Sequence, residues 1–322
     1  MSYTSTILIT GGTQGLGFHC ALALARHKPD SLIVIASRTD PANAALTINT
    51  QLKQQNVRFV PLDLSSLASV RSFAQTFLAD TQLPLAALVL NAGIQLPGPV
   101  SYTTDGIEKH FGINHVAHAL LFHLLALRLA PDARIITVSS GLHDPVEAKT
   151  FGGSIMPHYT TPALAAHPDA AALKESNGRD RYATSKTANA IWSAALASHL
   201  PPDSSKTVVA FDPGLMFGTN FTRDANFVLR FLGRWILPHL VPLARLLVHS
   251  NINPPEESGG NMAWLVTSGE VKGKKGEYYE KRREKEASAQ ARSREKQDEL
   301  WEWTLETVTC GEEERGRFER VE

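Results

Sequence analysis

The sequence predicts an α/β fold, a doubly wound parallel sheet with helices on both faces, forming one unit over residues 1–322. Three observations predict it. Short apolar runs recur at 7–10, 32–36, 57–62, 85–90, 134–138 and 208–211. Longer segments of helical periodicity lie between them, at 19–27, 66–78 and 107–129. The alternation continues to about residue 266 with no Gly/Ser-rich or Pro-rich linker to mark a boundary. Runs that are apolar on both faces belong in a parallel sheet covered on each side, because crossover helices must lie on those faces. After 211 the rhythm lapses. A Phe-, Met-, Pro- and Arg-containing stretch, 215–255, is the expected lid over a site; a helix near 258–266 and a short run at 277–280 follow. The extension 281–322 opens charge-dense and solvated, then gives Glu299-Leu300-Trp301-Glu302-Trp303-Thr304-Leu305, whose apolar spacing suits an amphipathic helix packed on the body.

Whole-chain properties narrow the function classes. Lys plus Arg equals Asp plus Glu at 32 each, so no net field attracts nucleic acid or an anionic membrane. Cys20 and Cys310 stand far apart in no metal or redox spacing, which suits a reducing compartment. The first strand follows the N-terminus without a basic and apolar leader, so a cytoplasmic address is expected. Residues 227–248 are the most apolar segment, but Arg230, Arg234, Arg245, Pro238 and Pro242 interrupt them. That stretch is not a span of about 20 apolar residues, although peripheral membrane contact stays open.

The first strand leads directly into Thr10-Gly11-Gly12-Thr13-Gln14-Gly15-Leu16-Gly17 and a helix. Glycines at Gly11, Gly15 and Gly17 let the backbone turn tightly and approach a pyrophosphate, whose charge rests on the helix N-terminal amides. This is the dinucleotide-binding arrangement of a Rossmann fold. The second strand ends in Ser37-Arg38, where such folds meet the adenosine ribose. An arginine there pairs with a 2′-phosphate and an acid repels it, so the expected cofactor is NADP(H). A plain surface arginine is the alternative, since Gln14 supplies no second cation.

Tyr182-Ala183-Thr184-Ser185-Lys186 places a phenol and an ammonium one helical turn apart. A neighbouring cation favours phenolate and lowers a phenol pKa that is ordinarily near 10. Alone, such a pair is ordinary. Here a strand also ends in Ser139-Ser140, and strand C-termini are where open α/β sheets hold ligands. Ser140 is placed to hydrogen-bond a substrate oxygen, or simply to cap a turn.

With the glycine loop, Asp63-Leu64, Asn91-Ala92-Gly93, Asn114, Ser139-Ser140 and Tyr182/Lys186 in order, the sequence resembles the short-chain dehydrogenase/reductase family over about 6–214. The resemblance implies that Gly11, Thr13, Gln14, Gly15, Leu16 and Gly17 cradle the cofactor. Asp63 would meet its adenine with Leu64 beside it, and Asn91, Ala92 and Gly93 would line it. Pro213-Gly214 leads to the nicotinamide end, with Thr219 a candidate cofactor contact one residue farther on than usual. The implied tetrad is Asn114, which holds a relay water; Ser140, which positions the substrate oxygen; Tyr182, which transfers the proton; and Lys186, which tunes Tyr182 and binds ribose. Tyr182 and Lys186 thus belong to both the catalytic and the cofactor sets.

Ser140 and Tyr182 are 42 positions apart, against about a dozen in compact members, so residues 141–181 hold an insertion like that of retinol dehydrogenase-like and protochlorophyllide reductase-like branches. Segments such as Ser139-Ser140-Gly141-Leu142-His143-Asp144-Pro145 also resemble a fungal branch, many of whose members serve secondary metabolism. His143, His158 and His167 lack metal-site spacing, and no metal is expected. His143 and Tyr159 are candidate substrate contacts, as are Met216, Phe217 and Phe221 in the lid, where Phe227 follows; their bulk suggests a mainly apolar small-molecule carbonyl or alcohol. The competing classes are a silent NADP(H)-binding regulator and a non-redox cyclase, dehydratase or epimerase. Both monomer and homo-oligomer remain open.

Overall fold

The computed structural model describes residues 3–150, 153–216 and 250–320. The six expected strands, the short run near 277–280 and one further strand form an eight-stranded sheet in the order β3-β2-β1-β4-β5-β6-β7-β8. These are β1 Ser5–Thr10, β2 Ser31–Ser37, β3 Val57–Pro61, β4 Leu85–Leu90, β5 Leu129–Val138, β6 Thr207–Asp212, β7 Lys275–Glu280 and β8 Arg283–Lys285. Every neighbouring pair is parallel except β7 with β8. The chain order reverses between β1 and β4, so a crevice opens beyond the carboxyl ends of those strands, where ligands collect in this architecture.

Alternation along each strand supplies both faces. In β1, Ile7 and Ile9 face one apolar core and Leu8 the other; β2 divides Ile33 and Ile35 from Leu32, Val34 and Ala36 in the same way. One core packs under α1 (Gly15–His27), α2 (Ala44–Leu52) and the helix Pro255–Thr267. The other packs under α3 (Leu67–Asp80), the helical run from Lys109, the long helix Gly178–His199 and the C-terminal helix Arg294–Val308.

Several boundaries differ from expectation. The helix from Lys109 changes to a π turn at Gly112–Val116, resumes over Ala117–Leu125, and yields early to β5, whose strand begins at Leu129. By composition the run Lys109–Arg128 is long and apolar enough to cross a membrane, yet 83% of its apolar window is buried inside the protein. It is a core helix. The insertion forms short helices, Pro145–Thr150, Pro162–Ala166 and Ala170–Glu175. The charge-dense tail is not simply solvated: Lys285 of β8 bonds Glu147 and Glu280, at 2.8 and 2.7 Å. Beyond it, Leu300, Trp301, Thr304, Leu305 and Val308 bury one stripe of the C-terminal helix.

Candidate active site

A cleft of about 880 Å³ opens at the reversal point of the sheet. Its first wall is the glycine loop. Gly11 and Gly15 adopt positive φ, +70° and +54°, which side chains disfavour. A Cβ on Gly17 would run into the Gly11 carbonyl oxygen and the Asn91 amide. The α1 helix starts at Gly15 with no acid in its own first turn, and its positive end faces the cleft. Thr13 Oγ1 donates to Ser37 Oγ at 3.2 Å, joining the loop to the end of β2. Arg38 is exposed, lines the same cleft and makes no ion pair among the described residues. Asp63 accepts from the Ser65 amide and hydroxyl at 2.9 and 2.8 Å, and Leu64 lies beside it. These residues fit a dinucleotide: the loop closes only without side chains, and a cation stands at the ribose end.

The rear of the cleft is stitched to β1. Thr10 Oγ1 accepts from the amides of Asn91 and Ala92, both at 2.9 Å, while Asn91 Nδ2 donates to the Thr10 carbonyl at 2.7 Å. A Cβ on Gly93 would lie 3.3 Å from Asn114 Oδ1 and 3.6 Å from Lys186 Nζ, so Gly93 lets those two groups approach. Asn114 sits inside the π turn, fully buried. Its Oδ1 accepts from the Ile94 amide at 2.9 Å, and its Nδ2 donates to the Ile94 carbonyl and Ser185 Oγ at 3.2 and 2.9 Å. Its main-chain carbonyl accepts from His118 Nδ1 at 3.1 Å. Because a carbonyl only accepts, His118 carries its proton on Nδ1, and Nε2 receives the Thr10 hydroxyl at 2.9 Å. Burial keeps His118 neutral, with its pKa pushed down to about 4.

The helix Gly178–His199 is started by a reciprocal cap between Asn177 and Asp180, and carries Tyr182 and Lys186 on one face toward the cleft. The Lys186 ammonium lies 5.7 Å from the Tyr182 ring centre and donates to the Val138 carbonyl at 2.9 Å. The two serines divide their work. Ser139 Oγ donates to the Lys186 carbonyl at 2.8 Å, whereas the Ser140 hydroxyl pairs with the Tyr182 phenol and also accepts from the Leu142 amide at 3.3 Å. Burial raises the Tyr182 pKa, Asp212 raises it further, and the Ser140 bond opposes both. Lys186 is pushed down to about 8 by burial, against the pull of Asp212. Tyr182 is thus shifted upward, against the expected influence of Lys186, because burial dominates and Asp212 adds to it.

Sequence reasoning missed Asp212. It ends β6 at 2% exposure, lines the cleft, and accepts from the Gly214 amide and Asn251 Nδ2 at 2.9 and 2.8 Å. Burial raises its pKa to about 7, helped by Glu147 and Glu280. The available signal was an acid closing an otherwise apolar strand, Val208-Val209-Ala210-Phe211-Asp212. Pro213 and Gly214 follow into the cleft; Gly214 has φ +78°, and a Cβ there would meet Asn251.

Two expected substrate contacts lie elsewhere. His143 is buried beneath the cleft floor: Nδ1 donates to the Ser140 carbonyl at 2.8 Å, Nε2 accepts from the Ser288 amide at 3.0 Å, and the ring stacks on Tyr278. Both nitrogens are thereby committed. Tyr159 is 2% exposed in the apolar core and lines no part of the cleft. Met216 does line it, with Ile94, Leu142, Ile155 and Leu215. Phe217, Thr219, Phe221, Phe227 and most of the expected lid lie outside the described residues.

Comparison with known proteins agrees with this layout. The family described as short chain dehydrogenase matches residues 5–150, and an AcuH dehydrogenase domain matches residues 218–316. Polyprenol dehydrogenase of Mus musculus is 32% identical over 319 residues, 94% of this chain and 84% of that protein. Retinol dehydrogenase 12 of Mus musculus is 33% identical over 72% of this chain and 67% of its own length. A blue fluorescent protein from a metagenomic library, solved in complex with NADPH, shares the fold at a TM-score of 0.56 and 22% identity, over 82% of this chain and 90% of that one. The chain belongs to the short-chain dehydrogenase/reductase family of oxidoreductases, whose members bind a nicotinamide cofactor.

Proposed function

We propose that the protein is an NADP(H)-dependent oxidoreductase interconverting a carbonyl and an alcohol on a mainly apolar small molecule. The observation that carries this reading is the continuity of one cleft from exposed Arg38, past the glycine loop, to Ser140, Tyr182 and Lys186. Arg38 supplies the charge that a 2′-phosphate requires and a free ribose hydroxyl does not. When bound, the nicotinamide supplies or accepts the hydride.

The chain's own groups handle the oxygen. In reduction, the Tyr182 hydroxyl gives its proton to the substrate oxygen as charge develops there; in oxidation, the phenolate takes it back. Ser140, already paired with Tyr182, holds the same oxygen and stabilises its developing charge. The raised proton affinity of Tyr182 keeps the acid loaded for reduction at neutral pH. Lys186 anchors to the Val138 carbonyl and faces the phenol, and Asn114 fixes the turn behind it. Ile94, Leu142, Ile155, Leu215 and Met216 give the substrate end an apolar lining. The relatives named for polyprenol and retinol support long apolar alcohols, and secondary metabolites of similar character belong in the same test panel.

The test is titration with NADPH and NADH, followed by incubation with apolar and charged carbonyls while reduced nicotinamide is monitored. Tighter NADPH binding and turnover of apolar carbonyls are expected. Tighter NADH binding rejects the role of Arg38, and turnover confined to multiply charged substrates rejects the apolar assignment.

A further inference from the structure

At the edge of the cleft, which Asp212 lines, carboxylate oxygens of Glu147, Asp212 and Glu280 lie within 4.8 Å of one another. They come from the short helix Pro145–Thr150, the end of β6 and the end of β7. Lys285 of β8 clamps Glu147 and Glu280 through their Oε2 atoms. That leaves Glu147 Oε1, on a side chain nine-tenths buried, with no hydrogen-bond partner among the described residues. Both carboxylates border Gly141: a Cβ there would lie 2.7 Å from Glu147 Oε1 and 3.2 Å from Asp212 Oδ2. Two largely buried carboxylates this close, one with an orphaned acceptor, cannot both be ionised cheaply, and one proton held by the pair lowers the repulsion.

Resting on the reading of Tyr182 as proton donor, we propose that a proton is held between Asp212 and Glu147, and that its loss changes the field at Tyr182 and Lys186, so that this pair sets the pH dependence of turnover. In this proposal both acids are positioning residues that act through Tyr182. The charged and titratable groups facing Asp212 among the described residues are Tyr182 and Lys186 on the long helix, Glu147 on its short helix, and Tyr278 and Glu280 on β7, with Lys285 of β8 behind the glutamates. With the proton in place, the pair and Glu280 carry two negative charges against Lys285; once it leaves to bulk water they carry three. The added charge strengthens the hold of Tyr182 and Lys186 on their protons, so phenolate forms at higher pH. Burial raises the Asp212 pKa to about 7, so the pair would titrate inside the working range of an enzyme.

The experiment combines infrared spectroscopy of the whole protein with pH profiles of alcohol oxidation, for wild type, Asp212→Asn, Glu147→Gln and Tyr182→Phe. A protonated-carboxyl stretch is expected in wild type at about pH 6, well above the range where an ordinary carboxyl is protonated. It should vanish in Asp212→Asn, and in Glu147→Gln its titration should move to lower pH because the neighbouring charge is gone. Asp212→Asn should also move the rising limb of the oxidation profile to lower pH by on the order of one unit, since a charge that opposed phenolate has been removed. Absence of the band in wild type, or an unmoved limb in Asp212→Asn, overturns the proposal; if Asp212→Asn does not fold, an unchanged band titration in Glu147→Gln does so. Tyr182→Phe separates the two readings: persistent turnover there rejects Tyr182 as donor while leaving the carboxyl band to report on the pair.

Discussion

The two ends of the cleft are built on different physics. At the cofactor end, geometry comes from what is missing: Gly11, Gly15 and Gly17 leave room for backbone to close on itself, and the charged Arg38 stays in solvent. At the proton end, geometry comes from what is buried: Tyr182, Lys186 and Asp212 are enclosed, and each is displaced from its ordinary titration range. The first end would position the proposed cofactor by shape and a helix dipole. The second, in the proposed function, would transfer a proton among groups whose titration is displaced by burial and neighbouring charge. Substitutions should therefore fail differently at the two ends, through fit at one and through chemistry at the other.

The largest effect is expected at the proton end. Tyr182→Phe should lower turnover by about 10²- to 10⁴-fold, the range for a lost general acid or base, with NADPH binding unchanged. If binding and turnover fall together, the division between the ends is wrong. Next comes the packing behind that end. Trp301 is 2% exposed and stacks at 4.0 Å on His199, the last residue of the long helix. Trp301→Ala should cost about 3–5 kcal/mol in urea unfolding, and should depress turnover before cofactor affinity.

At the cofactor end, Gly17→Ala pushes a methyl group against the Gly11 carbonyl. Forced overpacking of this kind costs about 1–3 kcal/mol, and here it should appear as weaker NADPH binding with little change in the rate of bound substrate. Retained affinity would break the claim that absence of side chains shapes this end.

The smallest effect is a slope with pH. Burial pushes His115 and His123 down to about 3 and His118 and His143 to about 4. Each stays neutral in the fold while its unfolded counterpart takes up a proton below about 6.5. Their contribution is complete above that value and is lost as pH falls toward about 4. Asp212 has the opposite sign: raised to about 7, it contributes stability at acid pH that is lost as pH rises through that value. Four groups outweigh one, so the unfolding free energy should fall between pH 7 and pH 5, by up to about 1.4 kcal/mol per pH unit for each unbalanced group, and the urea midpoint with it. A flat midpoint contradicts the burial of these rings.

Legibility in the sequence followed the same division. The glycine loop, the strand-end serines and the Tyr182/Lys186 step are contiguous or local, so the spacing that makes them work is visible in the chain. The six expected strands fell in the parallel part of the sheet because runs apolar on both faces have few other places to go. The carboxylate group was invisible, since Glu147, Asp212, Glu280 and Lys285 come from four separate elements with no mutual spacing. His143 and Tyr159 misled for the complementary reason. Nearness to Ser140 in sequence suggested nearness to substrate, but the tight turn Gly141–His143 directs His143 to the Ser140 carbonyl and Ser288. Tyr159 was drawn instead into the core shared with the C-terminal helix, a contact across the whole chain that no local pattern announces.

Hydride transfer is the central claim, and isotope transfer tests it most directly. NADPH carrying deuterium at nicotinamide C4 should be incubated with an apolar carbonyl that the enzyme consumes, and the alcohol analysed by mass spectrometry. The account requires deuterium on the former carbonyl carbon, in step with oxidation of the cofactor, and loss of that label in Tyr182→Phe. Substrate conversion without cofactor oxidation, or an unlabelled product carbon, would contradict it.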